Sequence, residues 1–254
     1  MKKLVFLLSA LVLGLTSCSN DDNNSSDPSS LILVKKRIYT EANEISSHDD
    51  IVYNGDKIVS IRDEDGSVLK FTYTGDVITK TEEIDQDGKL DQITEYSYTN
   101  GVLATSIDKH PDEAFYYKNK YTHNSDGTVA YEQFRVNVVT GVEEEYGAIG
   151  KFTFKNGNIT KLEVSYYGAK SSYAYEYDDK NNPFKNVLGY NLLLEDASAN
   201  NVIKMTATSG SGDNIYTATT TNTYKYDSNN YPVELIESFQ SGNSISTSKF
   251  EYFY

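Results

Sequence analysis

A single cysteine, Cys18, stands in 254 residues, beside no tryptophan, two methionines and three histidines. One thiol cannot close a disulfide within the chain, so packing has to hold the fold. The histidines, His48, His110 and His123, share no zinc-ligand spacing, and no second cysteine completes a set. Positive charge is also short: 23 Lys and Arg against 37 Asp and Glu leave a formal charge of −14. That balance argues against a broad positive field, so neither nucleic acid nor anionic lipid headgroups are expected as electrostatic partners. Helical patterning is missing too; the best stretch, Leu192–Ala199, is short and uncapped and reads as a loop. No phosphate loop, nucleophile elbow or HExxH pair occurs, and no cofactor is expected.

The one long apolar run lies at the start. Lys2-Lys3 precedes the apolar stretch Leu4–Leu13, and small residues then lead to Cys18, the layout of a secretory signal too short to cross a bilayer. Leu15-Thr16-Ser17-Cys18 resembles the lipobox of bacterial lipoproteins. The resemblance implies a signal peptide over 1–17, cleavage before Cys18 and lipidation of that cysteine, so that acyl chains anchor the protein to a membrane without spanning it. Residues 19–30 hold no apolar side chain, so 18–30 is expected to be a lipidated cysteine with a disordered tether. Its Asp21-Asp22 pair resembles the acidic surface-export signal of Bacteroidota-type outer-membrane lipoproteins, which implies a domain facing the cell exterior. Two acids are equally what a solvated linker would hold.

What the remainder has in excess is tyrosine, 22 residues, with 10 phenylalanines. Both favour strands. In Phe71-Thr-Tyr-Thr-Gly-Asp-Val-Ile-Thr-Lys80 two aromatics sit two apart, a glycine turn follows, and Ile78 and Lys80 sit two apart on the return. Alternation then puts Phe71, Tyr73, Ile78 and the stem of Lys80 on one face and Thr72, Thr74, Val77 and Thr79 on the other. The paired positions recur at Ile51/Tyr53, Phe71/Tyr73, Tyr96/Tyr98, Tyr121/His123, Phe152/Phe154, Tyr175/Tyr177, Tyr224/Tyr226 and Phe250/Tyr252. Spacing of this order marks a repeat whose units each bury too little alone. The step of 49 residues from Tyr175 to Tyr224 is about twice the others and is expected to hide a degenerate copy.

Two kinds of turn follow the aromatics. Around Asn100-Gly101 and Asn156-Gly157 the two-residue hairpin signature places Tyr98 opposite Leu103 and Phe154 opposite Ile159. In the longer kind, Tyr177 to Phe184 and Tyr226 to Val233, the return is expected seven residues on, with proline in the turn or first in the strand. Reverse turns between units make every other connection a hairpin as well. The fold class is therefore all-β: residues 31–254 form one domain, an antiparallel meander of roughly 14 to 18 strands. Its aromatic face has to be buried by curling into a half-barrel, a barrel or two packed layers.

The runs Tyr177-Asp-x-x-x-Asn182 and Tyr226-Asp-x-x-Asn230, each preceded two residues earlier by an aromatic, together with the Gly-x-Ile turns elsewhere, resemble tyrosine-aspartate (RHS-type) hairpin repeats. More closely they resemble uncharacterised Bacteroidota lipoproteins that carry degenerate copies. The chain departs from the RHS pattern in having few units and no toxin-like C-terminal domain. The resemblance implies a curled sheet of hairpins and no assigned activity. A competing reading is an outer-membrane barrel, because Phe250–Tyr254 has alternate aromatics to the last residue; Lys and acidic residues interrupt the faces too often for a lipid-facing band.

Residues that carry chemistry are few. Asp85, Asp87 and Asp91 around Gly88, and Asp63 and Asp65 before Gly66, set carboxylates on tight turns as calcium loops do, but without the twelve-residue loop and its closing glutamate. A polar turn capped by Asp is the plainer reading. Glu82-Glu83 and Glu143–Glu145 alternate faces of a strand and read as solvated edges. The expectation is a surface lipoprotein without catalysis, binding or structural, meeting a glycan, a peptide or an envelope protein. An extracellular hydrolase acting on polymer is the alternative, and it requires convergent carboxylates.

Overall fold

The computed structural model describes residues 31–41, 46–194, 198–211 and 214–254. The expected signal peptide over 1–17, Cys18 and the expected tether lie outside the described residues. Sixteen strands follow one another: β1 Lys36–Glu41, β2 Ser47–Asn54, β3 Lys57–Asp63, β4 Val68–Thr74, β5 Val77–Ile84, β6 Leu90–Thr99, β7 Val102–Lys109 and β8 Phe115–His123. The second half continues with β9 Thr128–Asn137, β10 Glu143–Lys155, β11 Asn158–Tyr166, β12 Ala169–Tyr177, β13 Val202–Ser211, β14 Asn214–Tyr226, β15 Pro232–Ser241 and β16 Ser244–Phe253. Each pairs antiparallel with the next, and β1 pairs with β16, so the meander closes into a barrel.

The tight turns follow local chemistry. Asn100 and Gly101 have φ of 53° and 79°, and Asn156 and Gly157 have 53° and 77°, as a type I′ turn requires. Tyr98 opposes Leu103 and Phe154 opposes Ile159, the register read from the sequence. Just inside these turns the register shifts by one residue in β2–β3, β4–β5, β6–β7, β10–β11, β12–β13 and β14–β15. Each shift is a β-bulge, which sharpens twist and bends the strand.

A bulge interrupts the ladder next to the residue that opposes the aromatic, and at every bulge but that of β2–β3, where Tyr73 accepts from the Ile58 amide, a ring from the neighbouring hairpin fills in. Tyr98 donates its hydroxyl to the Ile78 carbonyl at 2.7 Å, Tyr177 to Ile159 at 2.7 Å, Tyr224 to Val202 at 3.0 Å and Tyr254 to Pro232 at 2.9 Å. His123 takes the same role toward the Leu103 carbonyl at 2.7 Å. Side chains on this inner face are the core: Ile58 and Ile78 are fully enclosed, and Phe152, Leu103 and Val129 nearly so. Each contributes roughly 1.5–3 kcal/mol by leaving water.

The bulge also corrects one expectation. With Thr79 as the extra residue, Lys80 opposes Thr72 rather than continuing the Ile78 face, and it pairs outside with Glu82 at 3.0 Å. The supposed degenerate copy between Tyr175 and Tyr224 is absent among the described residues. Tyr177 opposes Val202 instead of returning at Phe184, and 178–194 and 198–201 lie outside the sheet. The loop at 227–231 is short, and Pro232 opens β15 opposite Tyr226, one residue before the expected Val233.

The excursion plugs the end of the barrel that carries the bulges. Val187 and Leu193 join Leu33, Val34, Ile51, Ile58 and Ile78, while Leu194 packs with Leu103, Val129, Phe152 and Ile159. Residues 190–192 of the expected Leu192–Ala199 stretch and its approach form a 3-10 turn. The plug is pinned by polar contacts: the Asp178 carboxylate accepts from Tyr226 and from the Asn201 amide, the Asn158 side chain accepts from the Ala199 and Asn200 amides, and Asn186 donates to Tyr231 at 2.8 Å. Gly189, at φ 72°, lies so close to the β4–β5 turn that a Cβ would sit 2.8 Å from the Asp76 carbonyl.

Replacing Phe152 by Ala is expected to cost about 3–5 kcal/mol and lower the melting temperature by roughly 10 °C, whereas Thr74→Ala stays within about 0.5 kcal/mol. Circular dichroism melts measure both. Burial pushes the Tyr73, Tyr98 and Tyr252 hydroxyls up to about 12, from an ordinary value near 10. The folded state therefore holds these protons more tightly than the unfolded chain. Their stabilisation is complete below pH ~10 and disappears as pH climbs to ~12, so the denaturant midpoint is expected to fall across that window.

Candidate functional site

What faces the end opposite the plug follows from register, and Asp63 and Glu83 are exposed there. Directly opposed residues share a face, so positions aligned with the enclosed Phe152, Ile58 and Ile78 point inward and their neighbours outward. By this rule every lysine in the body of the strands faces outward. There the lysines interleave with acids: Lys109 meets Glu95 at 2.7 Å, Lys161 meets Glu163 at 2.8 Å, Lys225 meets Glu234 at 2.7 Å and Lys204 meets Glu176 at 3.2 Å. Pairs this exposed add little stability, but they set charges along the outer wall, among exposed apolar side chains such as Val52, Ile149 and Phe253. A lipid-facing band would have to sink these charges at about 2–4 kcal/mol per lysine at mid-membrane.

The inner wall toward the open mouth is different. Asp49 opposes Asp63, Thr94 opposes Asp108, and Asn222 opposes Glu237, all facing inward. Its two arginines are already engaged: Arg37 Nε donates to Asp49 at 2.9 Å, and Arg135 meets Glu144 at 3.0 Å while stacking over Phe115 at 4.4 Å. Burial raises the Asp108 carboxyl, although Thr94 donates to it at 2.8 Å, and burial likewise raises Glu237. Among the described residues, the enclosed Oδ1 atoms of Asn119 and Asn222 find no hydrogen-bond partner. A cavity of about 370 Å³ gathers Asp49, Asp63 and Glu83 beside Ile61 and Leu69, and Asp85 and Asp91 also line it.

Tyrosines rise above this wall. Tyr146 lies 4.8 Å from Tyr117 and 5.6 Å from Tyr166, and Tyr166 lies 4.6 Å from Tyr167, ring centre to ring centre. Hydrogen bonds from Tyr166 and Tyr117 hold the Tyr146 hydroxyl below the ordinary phenol range, and their counterpart pushes Tyr166 up to about 12. Tyr167, in the β11–β12 turn at φ 44°, is 70% exposed, and Tyr216 across β12 and β13 is 73% exposed. Below them Gly150 leaves the space occupied by the Tyr131 ring, which would meet a Cβ at 2.0 Å. The rim outside carries further apolar side chains, with Val139 at 91% and Ile245 at 66% exposed.

The residues singled out from sequence fare unevenly. Asp85 and Asp91 line one cavity, but Asp87 is not among its lining residues: Asp85 caps its own turn, accepting from the Asp87 and Lys89 amides at 3.0 and 2.8 Å, and Asp65 caps Ser67 at 2.8 Å. Among the described residues no three His, Cys, Asp or Glu side chains converge as a metal site. Glu143 reaches Lys118 and Lys120 outside while Glu144 faces inward to Arg135, as strand alternation requires. His48 sits between Asp50 and Glu64, and His110 bonds the Asp91 carbonyl. Tyr146, Tyr166, Tyr167 and Tyr216 fall outside the repeated aromatic positions; only the excess of tyrosine hinted at them.

No protein-family model matches the chain, and no curated protein does. Among solved structures, a porin-like protein from Bacteroides uniformis is similar at a TM-score of 0.48 and 11% identity, over 87% of this chain and 96% of that one. A closed antiparallel barrel is compatible with an outer-membrane location.

Asp85→Ala is expected to lower stability by about 1 kcal/mol through loss of the turn cap, equally in calcium and in EGTA. Thermal melts in both buffers check this, and a calcium-dependent difference would restore the metal reading.

Proposed function

We propose that the protein is a lipid-anchored outer-membrane lipoprotein, facing the cell exterior, whose role is to bind rather than to catalyse. The observation that carries this reading is the polarity of the barrel. Its first described residues and its C-terminal Tyr254 lie at the plugged end, and exposed aromatics crown the other. A lipid on Cys18 would hold the plugged end toward the membrane and turn the mouth toward the medium. Barrel mouths are common ligand sites, and rings backed by polar groups suit a glycan, a peptide or another envelope protein.

The hydrolase reading keeps one supporting feature, the cavity shared by Asp49, Asp63 and Glu83. Directly opposed side chains on adjacent strands stand about 5 Å apart at Cβ, near the carboxylate spacing of retaining glycosidases.

Cys18→Ala is expected to release the protein from the membrane fraction, and unchanged retention would refute the anchor. On glycan and peptide arrays the full chain should bind saturably without releasing product. Product release that Asp63→Asn abolishes would select the hydrolase instead.

A further inference from the structure

Charge is sorted across the barrel wall. In the body of the strands lysines face out, whereas Asp49, Asp63, Glu83, Asp108, Glu144 and Glu237 face in, and the arginines among them are already held by Asp49 and Glu144. Carboxylates accept hydrogen bonds and donate none, and tyrosine rings present a negative face. The mouth therefore combines two features that favour the same visitor, an organic cation. The exposed apolar side chains of the rim, among them Val139, Ile215 and Ile245, add a requirement that a small hydrophilic amine does not meet.

From this juxtaposition of exposed rings, acceptor-lined wall and apolar rim we infer that the mouth takes a basic amphipathic peptide segment. Its lysine or arginine heads enter between the tyrosines toward the inward carboxylates, and its apolar side chains rest on the rim. The inference rests on the binding role proposed above and names the partner for that site. A net charge of −14 steers such a segment from a distance, and salt screens that attraction. Rings account for contact at the mouth, because cation–π attraction strengthens as the cation loses water.

The probe is a short fluorescent peptide of lysine and leucine with amphipathic helical spacing, titrated into the full chain by anisotropy. Its glutamate–leucine counterpart and spermine serve as controls. Saturable binding of the lysine peptide, weakened roughly tenfold between about 0.05 and 0.5 M salt, is expected. The double variant Tyr167→Ala/Tyr216→Ala should weaken it about tenfold with an unchanged melting temperature, because both rings are exposed. The isosteric pair Asp63→Asn/Glu83→Gln should weaken it and flatten its salt dependence. Equal binding of the glutamate peptide, spermine binding as tightly as the peptide, or indifference to both variants would overturn the inference. If the lysine peptide fails while a glycan binds, the inference falls and the binding role survives; product release from polymer would remove the binding role itself.

Discussion

A phenol hydroxyl placed on a carbonyl that the strand ladder leaves free is the contact on which this barrel is organised. Each bulge bends its strand inward at the plugged end, and the interruption would be costly if the carbonyl stayed enclosed and unpaired, on the order of 1–3 kcal/mol. Tyr98, Tyr177, Tyr224 and Tyr254 remove that cost from the adjacent strand. The aromatic position thus does two jobs at once, filling the core with its ring and completing the backbone with its oxygen. His123 shows that the oxygen can be replaced by a ring nitrogen if the reach is similar. Phe154 has no such group, and there the ring packs at 6.2 Å from Phe152 without completing a carbonyl.

Much of this was legible in the chain because hairpin chemistry is local. Asn-Gly pairs announce their turn, and alternation then orders every residue between turns. Two features escaped because they are not local. The bulge at Thr79 moves Lys80 to the far face, and no residue type marks where a bulge falls. The stretch after Tyr177 carries the Asp, Asn and Pro of an ordinary long turn, yet its Val187, Leu193 and Leu194 satisfy cores built by β2 to β11. A stretch that plugs a barrel obeys the demands of strands distant in sequence. The mouth was half legible: the number of tyrosines was visible, but which ones leave the core depends on how far each strand climbs past the buried layer.

The arrangement inverts the plan of a water-filled pore. A sixteen-stranded membrane barrel places apolar residues outside and leaves a polar channel within. Here Phe152, Ile58, Ile78 and Leu103 lie inside with a plug against them, and Lys–Glu pairs stand on the outside among exposed side chains such as Val52 and Ile149. An interior of this girth cannot be filled by side chains of the strands alone. Val187, Leu193 and Leu194 with Leu33-Val34 supply the missing volume at one end, and exposed Tyr167, Asp63 and Glu83 stand at the other.

The seam between β1 and β16 brings Lys36 opposite Phe253, near the two extremes of the described chain. A chain delivered from its N-terminus across a membrane would hold β1 with one bare edge until the final strand arrived, and a contact spanning such a separation forms slowly. Bare edges invite pairing with other copies. Passage through the envelope would therefore put this protein in need of a holding chaperone until the last hairpin is delivered.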